Sequence, residues 1–246
     1  MPPLDPEMLL RAYTVGVFPM ADSREAPSVY WVEPKTRAIL PLDGFHLSKS
    51  LRKTLMSGRF EMTANRDFAG IVKLCAESVD NRPDTWINAQ IEAAVAILHA
   101  HGHAHSIETW EDGRLVGGLY GISLGRGFFG ESMVSRATDA SKVALAHLVA
   151  RLRAGGFTLL DCQFQTPHLE SLGAIEIDRE TYMELLDVAV GALGGAVGGG
   201  AGSAASASGD FGALDRDDPD RSPSDTVTVS GPTSAWRILH ALAQTS

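Results

Sequence analysis

The sequence predicts an α+β fold: a mixed sheet flanked by helices, with a flexible C-terminal tail after it. Residues 88–100 and 139–154 carry apolar side chains at helical spacing. Between them, residues 104–134 alternate as strands joined by short turns do. Beyond residue 190 the chain becomes rich in Gly, Ala and Ser, a composition too poor in side chains to form a core.

The first elements are helical. Residues 7–13 are expected to form a helix that leads into a turn at residues 15–19. Asn88 can cap the next helix with its side chain. That helix is amphipathic, and its apolar face holds Ile91, Val95 and Leu98.

Strands and helices then alternate. Three strands span residues 104–134, with a hairpin turn at residues 111–113. Asp139 can cap the following helix, residues 157–163 form a strand, and Thr166 precedes a Pro that can open another helix. The order helix, three strands, helix, strand, helix resembles that of the N-acetyltransferases.

The tail is set apart by its composition. Of the 22 residues from 191 to 212, 18 are Gly, Ala or Ser. Such a stretch buries too little side chain to offset the entropy of ordering its backbone. Residues 210–225 are acidic and Pro-rich, and residues 233–242 can form a short helix. We expect an appendage outside the catalytic unit, able to dock on the body of the protein or on a partner.

Composition excludes several classes of protein. The 246 residues are 44% hydrophobic with a net charge of -9, as in ordinary globular proteins, so disorder of the whole chain is excluded. Cys75 and Cys162 are too few for a disulfide scaffold. Neither a secretory signal nor an apolar run of membrane length is readable. We therefore expect a cytoplasmic protein without a membrane partner.

Basic residues concentrate in one segment of this acidic chain. Residues 35–73 hold eight Lys or Arg and three acidic residues, a net charge of +5. Such a patch is compatible with contacts to phosphates, and equally with a solvated surface.

Polar side chains within apolar strands are the candidates for chemistry. Alternation places Asp161 and Gln163 on one strand face, and Glu131 lies among apolar neighbours in another strand. They are either a site for a cationic ligand or strand-end groups that cap loops. Four His at every second position from residue 99 to residue 105 lack the Cys cluster or carboxylates that would complete a zinc site, so no metal is expected.

Nine short sequence motifs give evidence that hydrophobic periodicity does not. Nine stretches, in order, are similar to the leucyl/phenylalanyl-tRNA–protein transferases of bacteria and cover roughly residues 9–186. They are YTVGVFP (13–19), FHLSKS (45–50), TWI (85–87), GHAHSIE (102–108), VGGLYG (116–121), FGESM (129–133), ASK (140–142), LDCQ (160–163) and SLGA (171–174).

The resemblance implies an activity. It is the transfer of Leu or Phe, and less well Met, from aminoacyl-tRNA to proteins that begin with Arg or Lys, which then enter the bacterial N-degron degradation pathway. It also implies a small N-terminal domain (1–37) and an acetyltransferase-like catalytic domain (38–190). The tail (191–246) is set apart by composition and is not covered by the resemblance. An aminoacyl ester is already activated, so no Ser or Cys nucleophile is needed, and no cofactor is expected.

The resemblance also implies roles for residues. Asp161 with Gln163 would hold the attacking amine and help deprotonate it, and Glu131 would hold the cationic N-terminal residue or assist that amine. The expected aminoacyl pocket comprises Leu119, Phe128, Phe129, Met133, Leu145, Leu148 and Leu160. The expected tRNA contacts are Met20, Trp31, Lys49, Arg52 and Lys53.

Two departures from the family affect these roles. Many relatives have a Trp at Met20, and a Trp there stacks on the terminal adenine, so Met20 gives a weaker platform that Trp31 would have to supplement. Leu119 and Leu148 replace bulkier residues, which predicts a wider pocket.

Parts of the sequence are compatible with other functions. An N-acetyltransferase that uses acetyl-CoA would share the fold, but residues 121–127 form a poor pyrophosphate loop. A non-catalytic RNA-binding module would use the basic segment and leave Glu131, Asp161 and Gln163 unexplained. A tail that recruits a protease or adaptor is compatible with the transferase.

Overall fold

The computed structural model describes residues 3–77, 85–191, 208–216 and 231–244. Within them, seven strands form one sheet in the order β4-β5-β6-β7-β8-β3-β9. Their bounds are β3 Thr36–Ile39, β4 Glu61–Ala64, β5 Ala104–Glu111, β6 Arg114–Leu124, β7 Gly127–Ser135, β8 Leu159–Gln163 and β9 Ile175–Asp178. A separate hairpin pairs β1 (Phe18–Met20) with β2 (Tyr30–Val32).

Helices cover both faces of the sheet. They are α1 Pro6–Thr14, α2 Lys49–Met56, α3 Phe68–Ala76, α4 Ala89–Ala100, α5 Ala140–Ala154, α6 Pro167–Glu170, α7 Arg179–Val190, α8 Ala213–Arg216 and α9 Ala235–Ala243. The α+β prediction of a mixed sheet flanked by helices is therefore confirmed, and the predicted order from α4 through β5, β6, β7, α5 and β8 to α6 is present.

Local signals placed most of these boundaries. Asn88 caps α4 by accepting from the backbone N–H groups of Gln90 and Ile91, and Thr166 caps α6. Asp139 differs from the prediction: it precedes α5 with a left-handed φ of 70° and makes no capping hydrogen bond. Its carboxylate instead accepts from Lys142 at 3.0 Å.

Alternate residues of the strands belong to two hydrophobic cores, one on each face of the sheet. Tyr120 and Phe129 point to the core shared with α1, α3, α4 and α7. Leu119 and Phe128, their chain neighbours, point to the core shared with α2, α5 and α9. Tyr13 of α1 belongs to the first of these cores, so the N-terminal segment has no separate interior within the described residues.

The pair β7 and β8 positions the site. They run parallel and are connected through α5, whereas every other neighbouring pair in the described sheet is antiparallel. Their pairing ends at Phe129 and Asp161. Past this point β8 continues to pair with β3 on its other side, at Gln163. The end of the β7–β8 ladder therefore leaves an opening in the sheet.

The described tail segments dock on the body of the protein, which is one of the two alternatives that the sequence left open. Residues 208–216 and 231–244 pack on the α5 side of the sheet, where Phe211, Ile238 and Leu239 are buried. The predicted short helix is present as α9. Most of the Gly/Ala/Ser stretch and of the acidic stretch lies outside the described residues.

Among the described helices, none combines the length and the apolar composition needed to cross a membrane.

Candidate active site

A cavity of about 690 Å³ lies where β7 and β8 part. Its wall includes five of the residues predicted for the aminoacyl pocket: Leu119, Met133, Leu145, Leu148 and Leu160. The polar groups of Glu131, Gln163 and Tyr120 also line it. Because the apolar side chains outnumber the polar ones, the cavity suits a ligand with an apolar side chain and a polar head.

Two predicted pocket residues lie elsewhere. Phe128 packs against Phe157 and Phe211, and Phe129 packs 4.9 Å from the ring of Tyr13. Neither is among the residues that line the cavity. Phe129 begins a quoted family motif and Phe128 directly precedes it, but the structure uses both rings to fill the two cores.

A β-bulge directs Glu131. Tyr120 pairs with Ser132 and Gly121 with Gly130, so Glu131 is the extra residue between two paired positions of β7. Bulges re-aim a side chain and are common beside active sites. This one also puts Met133 on the opposite face from Phe129, whereas strict alternation would place both on one face.

Glu131 is buried between two donors. The hydroxyl of Tyr13 donates to its Oε1 at 2.6 Å, and Nε2 of Gln163 donates to the same atom at 3.0 Å. Burial, with the charge of Asp161, raises the pKa of Glu131 to about 7, although the two hydrogen bonds and Arg37 oppose that shift. The carboxylate can therefore gain or lose a proton near neutral pH.

Gln163 is held in an uncommon backbone conformation. Its φ of 63° is left-handed, a region that side chains other than Gly enter at a cost. Its backbone N–H donates to Oδ1 of Asp161 at 2.7 Å. A second bulge lies next to Gln163, at Cys162. Asp161 and Gln163 pair with the adjacent β3 residues Ile39 and Ala38, so Cys162 is the extra residue between them. The conformation brings the Gln163 amide to Glu131.

Asp161 lies behind the cavity. It is fully buried and does not line the cavity wall. Arg37 donates to both of its oxygens, with Nη2 at 2.6 Å from Oδ2, and the Tyr182 hydroxyl donates to Oδ2 at 2.8 Å. This position differs from direct contact with an attacking amine, the role expected from the sequence.

Arg37 completes this buried group. Its guanidinium is 2% exposed and lies 4.6 Å from the ring centres of both Phe18 and Tyr182. It also donates to the carbonyl of Gly16 at 3.1 Å. In the sequence, Arg37 is only one of the eight basic residues of segment 35–73. The apolar residues 38–40 that follow it were the one local sign that Arg37 is buried. Its partner Asp161 lies 124 residues away in the sequence.

Two further residues at the cavity were not anticipated as site residues. Tyr120 is fully buried, and within the described residues its hydroxyl has no hydrogen-bond partner. Trp86 lines the cavity, and its carbonyl accepts from the N–H of Ala21 at 3.1 Å, which ties the β1–β2 hairpin to the cavity. Both lie inside the quoted family motifs.

The predicted tRNA residues occupy two surfaces. Met20 and Trp31 lie on the hairpin, where Trp31 is 39% exposed. Lys49, Arg52 and Lys53 are exposed on α2, which packs on α5.

Three of the eight basic residues in segment 35–73 are buried or paired with a carboxylate. Arg37 is buried, Arg59 pairs with Glu111 at 2.6 Å, and Arg66 pairs with Glu61. The exposed cluster that remains on one helix is that of α2.

Two of the four His stack on aromatic rings. His99 stacks on Phe68 with ring centres 4.1 Å apart, and His105 stacks on Phe211 at the same spacing. Burial, with the charges of His99 and Arg151, lowers the pKa of His105 to about 3. In the part of the chain that the structure describes, no three His, Cys, Asp or Glu side chains converge as metal ligands would.

Comparisons with known proteins bear on this site. The sequence profile for the leucyl/phenylalanyl-tRNA protein transferase family matches residues 39–187, and the profile for its N-terminal domain matches residues 3–35. A curated leucyl/phenylalanyl-tRNA–protein transferase of Rhizorhabdus wittichii is 62% identical over 251 aligned positions, covering 100% of both chains. One of Zymomonas mobilis is 63% identical over 187 positions, covering 76% of this chain and 70% of its own.

Solved structures are more distant. L-PGS from Bacillus licheniformis is 12% identical with a TM-score of 0.39, covering 67% of this chain and 55% of its own. A GCN5-related N-acetyltransferase-like protein from Streptococcus suis is 15% identical with a TM-score of 0.32, covering 69% and 65%.

The family profiles together match most of the described core, and the full-length match extends through the tail. They favour the transferase over the acetyl-CoA enzyme and over a non-catalytic RNA-binding module. The chain therefore belongs to the leucyl/phenylalanyl-tRNA–protein transferase family and is an aminoacyltransferase that moves an amino acid from tRNA to a protein.

Proposed function

We propose that the enzyme transfers Leu or Phe, and less well Met, to the α-amino group of proteins that begin with Arg or Lys. The modified proteins would enter the bacterial N-degron pathway, in the cytoplasm where aminoacyl-tRNA is available. The observation that carries the proposal is one cavity with an apolar wall beside the polar pair of Glu131 and Gln163.

The apolar wall is the proposed donor pocket. The proposed pocket would accept a side chain that is not branched at Cβ, as in Leu, Phe or Met. Its wall is formed by Leu119, Met133, Leu145, Leu148 and Leu160. Met133 is flexible enough to adapt to either Leu or a Phe ring. One methylene discriminates by only about 1–3 kcal/mol, so transfer of some Met is expected.

Glu131 is the proposed acceptor contact. Its carboxylate would bind the cationic acceptor, whose α-amino group has a reference pKa of about 7.7–8.0 and is partly neutral at cytoplasmic pH. Gln163, hydrogen-bonded to Glu131, would orient the amine toward the ester carbonyl. Alignment of two reactants can supply about 7–11 kcal/mol of the barrier.

Asp161 is proposed as a positioning residue. Its oxygens are occupied by Arg37, Tyr182 and the backbone N–H of Gln163. It would act on the reaction by holding Gln163 in its left-handed conformation. The deprotonation role expected from sequence would then fall to Glu131 or to solvent.

The tRNA would lie across the hairpin and α2. Met20 and Trp31 would contact the terminal adenosine, and Lys49, Arg52 and Lys53 would contact phosphates of the acceptor stem. The activated ester makes a metal or an organic cofactor unnecessary for this chemistry.

The test is transfer of labelled Leu from Leu-tRNA to a peptide that begins with Arg, with an otherwise identical peptide that begins with Ala as control. We expect label on the Arg peptide alone. Glu131→Gln should lower transfer, and Glu61→Gln, an exposed carboxylate on β4, should not. Equal labelling of both peptides would refute the proposed acceptor specificity.

A further inference from the structure

The tail segments that the structure describes, residues 208–216 and 231–244, are here called the docked tail. A buried ion pair fixes the docked tail to α5. Arg151 is 1% exposed, and its Nη1 and Nη2 each lie 2.7 Å from an oxygen of Asp215. Nη1 also donates to the carbonyl of Phe211 at 3.1 Å, and Nε donates to Nε2 of His147 at 2.9 Å.

The docked tail lies so close to the end of α5 and to Phe157 that glycine is required at Gly155 and at Gly209. The N–H of Gly209 donates to the carbonyl of Gly125 at 2.8 Å, and that of Asp210 donates to the carbonyl of Gly155 at 3.0 Å. A Cβ on Gly155 would lie 2.2 Å from the Asp210 oxygen, and one on Gly209 would lie 2.7 Å from the ring of Phe157. The docked tail therefore packs as an interior element does.

The C-terminal helix α9 also packs against α5. Ile238 and Leu239 of α9 are buried in the core that α5 shares. Arg153 of α5 donates to the carbonyls of Leu242 and Gln244 at 2.7 and 3.0 Å. Along its second half, α5 is thus held by two separate parts of the docked tail.

The same helix forms a wall of the cavity. Leu145 and Leu148 line the cavity, and Leu148 lies three residues before Arg151, which places the two side chains on adjacent positions of the helix surface. Close-packed interiors transmit small displacements, because neighbouring side chains have few voids to absorb them.

We propose that the Arg151–Asp215 pair makes the docked tail a specificity-determining element, which fixes α5 and thereby the width of the donor pocket. The inference rests on the proposed function of the cavity. Without Asp215, the buried guanidinium would keep only neutral acceptors among its contacts named above. Removing one charge of a buried ion pair is strongly destabilising. Burial also lowers the pKa of His147, which keeps that ring a neutral acceptor. The helix would shift to bring Arg151 toward water, and Leu148 would move with it.

The experiment compares kcat/KM for Leu-, Phe- and Met-tRNA on one Arg peptide in the full-length enzyme. The variants are Asp215→Asn, which removes the charge, and Phe211→Ala, which removes the ring that stacks on Phe128 and His105. Asp43→Asn is the matched control, because Asp43 pairs with Arg153 of the same helix but is 78% exposed.

We expect both test variants to change the Leu:Met ratio by about two- to thirtyfold in the same direction, as mutations within a coupled network do. The control should keep the wild-type ratio. Simple loss of folded enzyme would scale all three donors alike and leave the ratio unchanged. If Asp215→Asn folds too poorly to assay, Phe211→Ala alone decides the comparison with Asp43→Asn.

A Leu:Met ratio within about twofold of wild type in both test variants would overturn the inference. Failure of the wild-type enzyme to label the Arg peptide would instead refute the proposed function. Hydrogen exchange of α5 amides gives a second readout that needs no activity. Faster exchange around Leu148 in Asp215→Asn, and not in Asp43→Asn, is expected, and equal exchange in both counts against the coupling.

Discussion

At the residue scale, the site is governed by two buried carboxylates with different neighbours. Asp161 faces a guanidinium, whereas Glu131 faces a tyrosine hydroxyl and an amide. A full positive charge therefore lies against Asp161 and only neutral donors lie against Glu131. This difference supports a division of work in which Asp161 holds the structure and Glu131 meets the substrate.

The ionisation of Glu131 predicts a pH dependence. Because its pKa is raised to about 7, the carboxylate form grows as the pH rises through neutrality. If that form binds the acceptor, the ratio of kcat/KM for wild type to Glu131→Gln should rise about tenfold between about pH 6 and about pH 8. Ionisation of the peptide amine cancels in this ratio. A flat ratio would show that the proton on Glu131 does not matter.

The Arg37–Asp161 pair predicts a large effect on stability. Arg37→Met leaves Asp161 buried without its cation, which should lower the free energy of unfolding by about 3–5 kcal/mol. Arg66→Met removes an exposed pair with Glu61 and should cost less than about 1 kcal/mol. Urea unfolding of both variants gives the comparison. Equal midpoints would mean that the buried pair adds no more than a surface pair.

At the element scale, two bulges in neighbouring strands produce the site. The bulge at Glu131 in β7 and the bulge at Cys162 in β8 lie just past the last paired residues of the two strands. Sequence alternation located these strands but assumed an unbroken period of two. A one-residue bulge reverses the faces beyond it, so the side-chain directions of Gln163 and Met133 could not be predicted.

The exposed charges of α2 predict a salt dependence. Replacing Lys49, Arg52 and Lys53 with Met should weaken tRNA binding and reduce the slope of log K against log salt concentration by about 2–3. Lys73→Met is the control, because Lys73 is exposed on α3, which packs into the core on the other face of the sheet. Binding measured at several salt concentrations would contradict the prediction if the triple variant kept the wild-type slope.

At the scale of the whole molecule, local and distant contacts were not equally predictable. Helix caps at Asn88 and Thr166 and the hairpin near Asp112 depend on neighbouring residues, so the sequence located those boundaries. Arg37 and Asp161, or Arg151 and Asp215, lie 124 and 64 residues apart. The spacing of apolar residues along the sequence carries no information about such distant pairs. Most of the Gly-rich stretch lies outside the described residues, and its composition gave no sign that the segments after it pack on α5.

The docking of those segments gives the last prediction. Gly155→Ala places a Cβ against the Asp210 carbonyl, although the backbone of Gly155 has an ordinary φ of -85°, so crowding is the main cause of any effect. We expect a loss of about 1–3 kcal/mol in the free energy of unfolding and faster hydrogen exchange in residues 208–216. Gly231→Ala is the control, because its Cβ would meet nothing within 4 Å. Unchanged exchange in Gly155→Ala would mean that the tail can move aside freely, and that its contact with α5 is not a packed part of the fold.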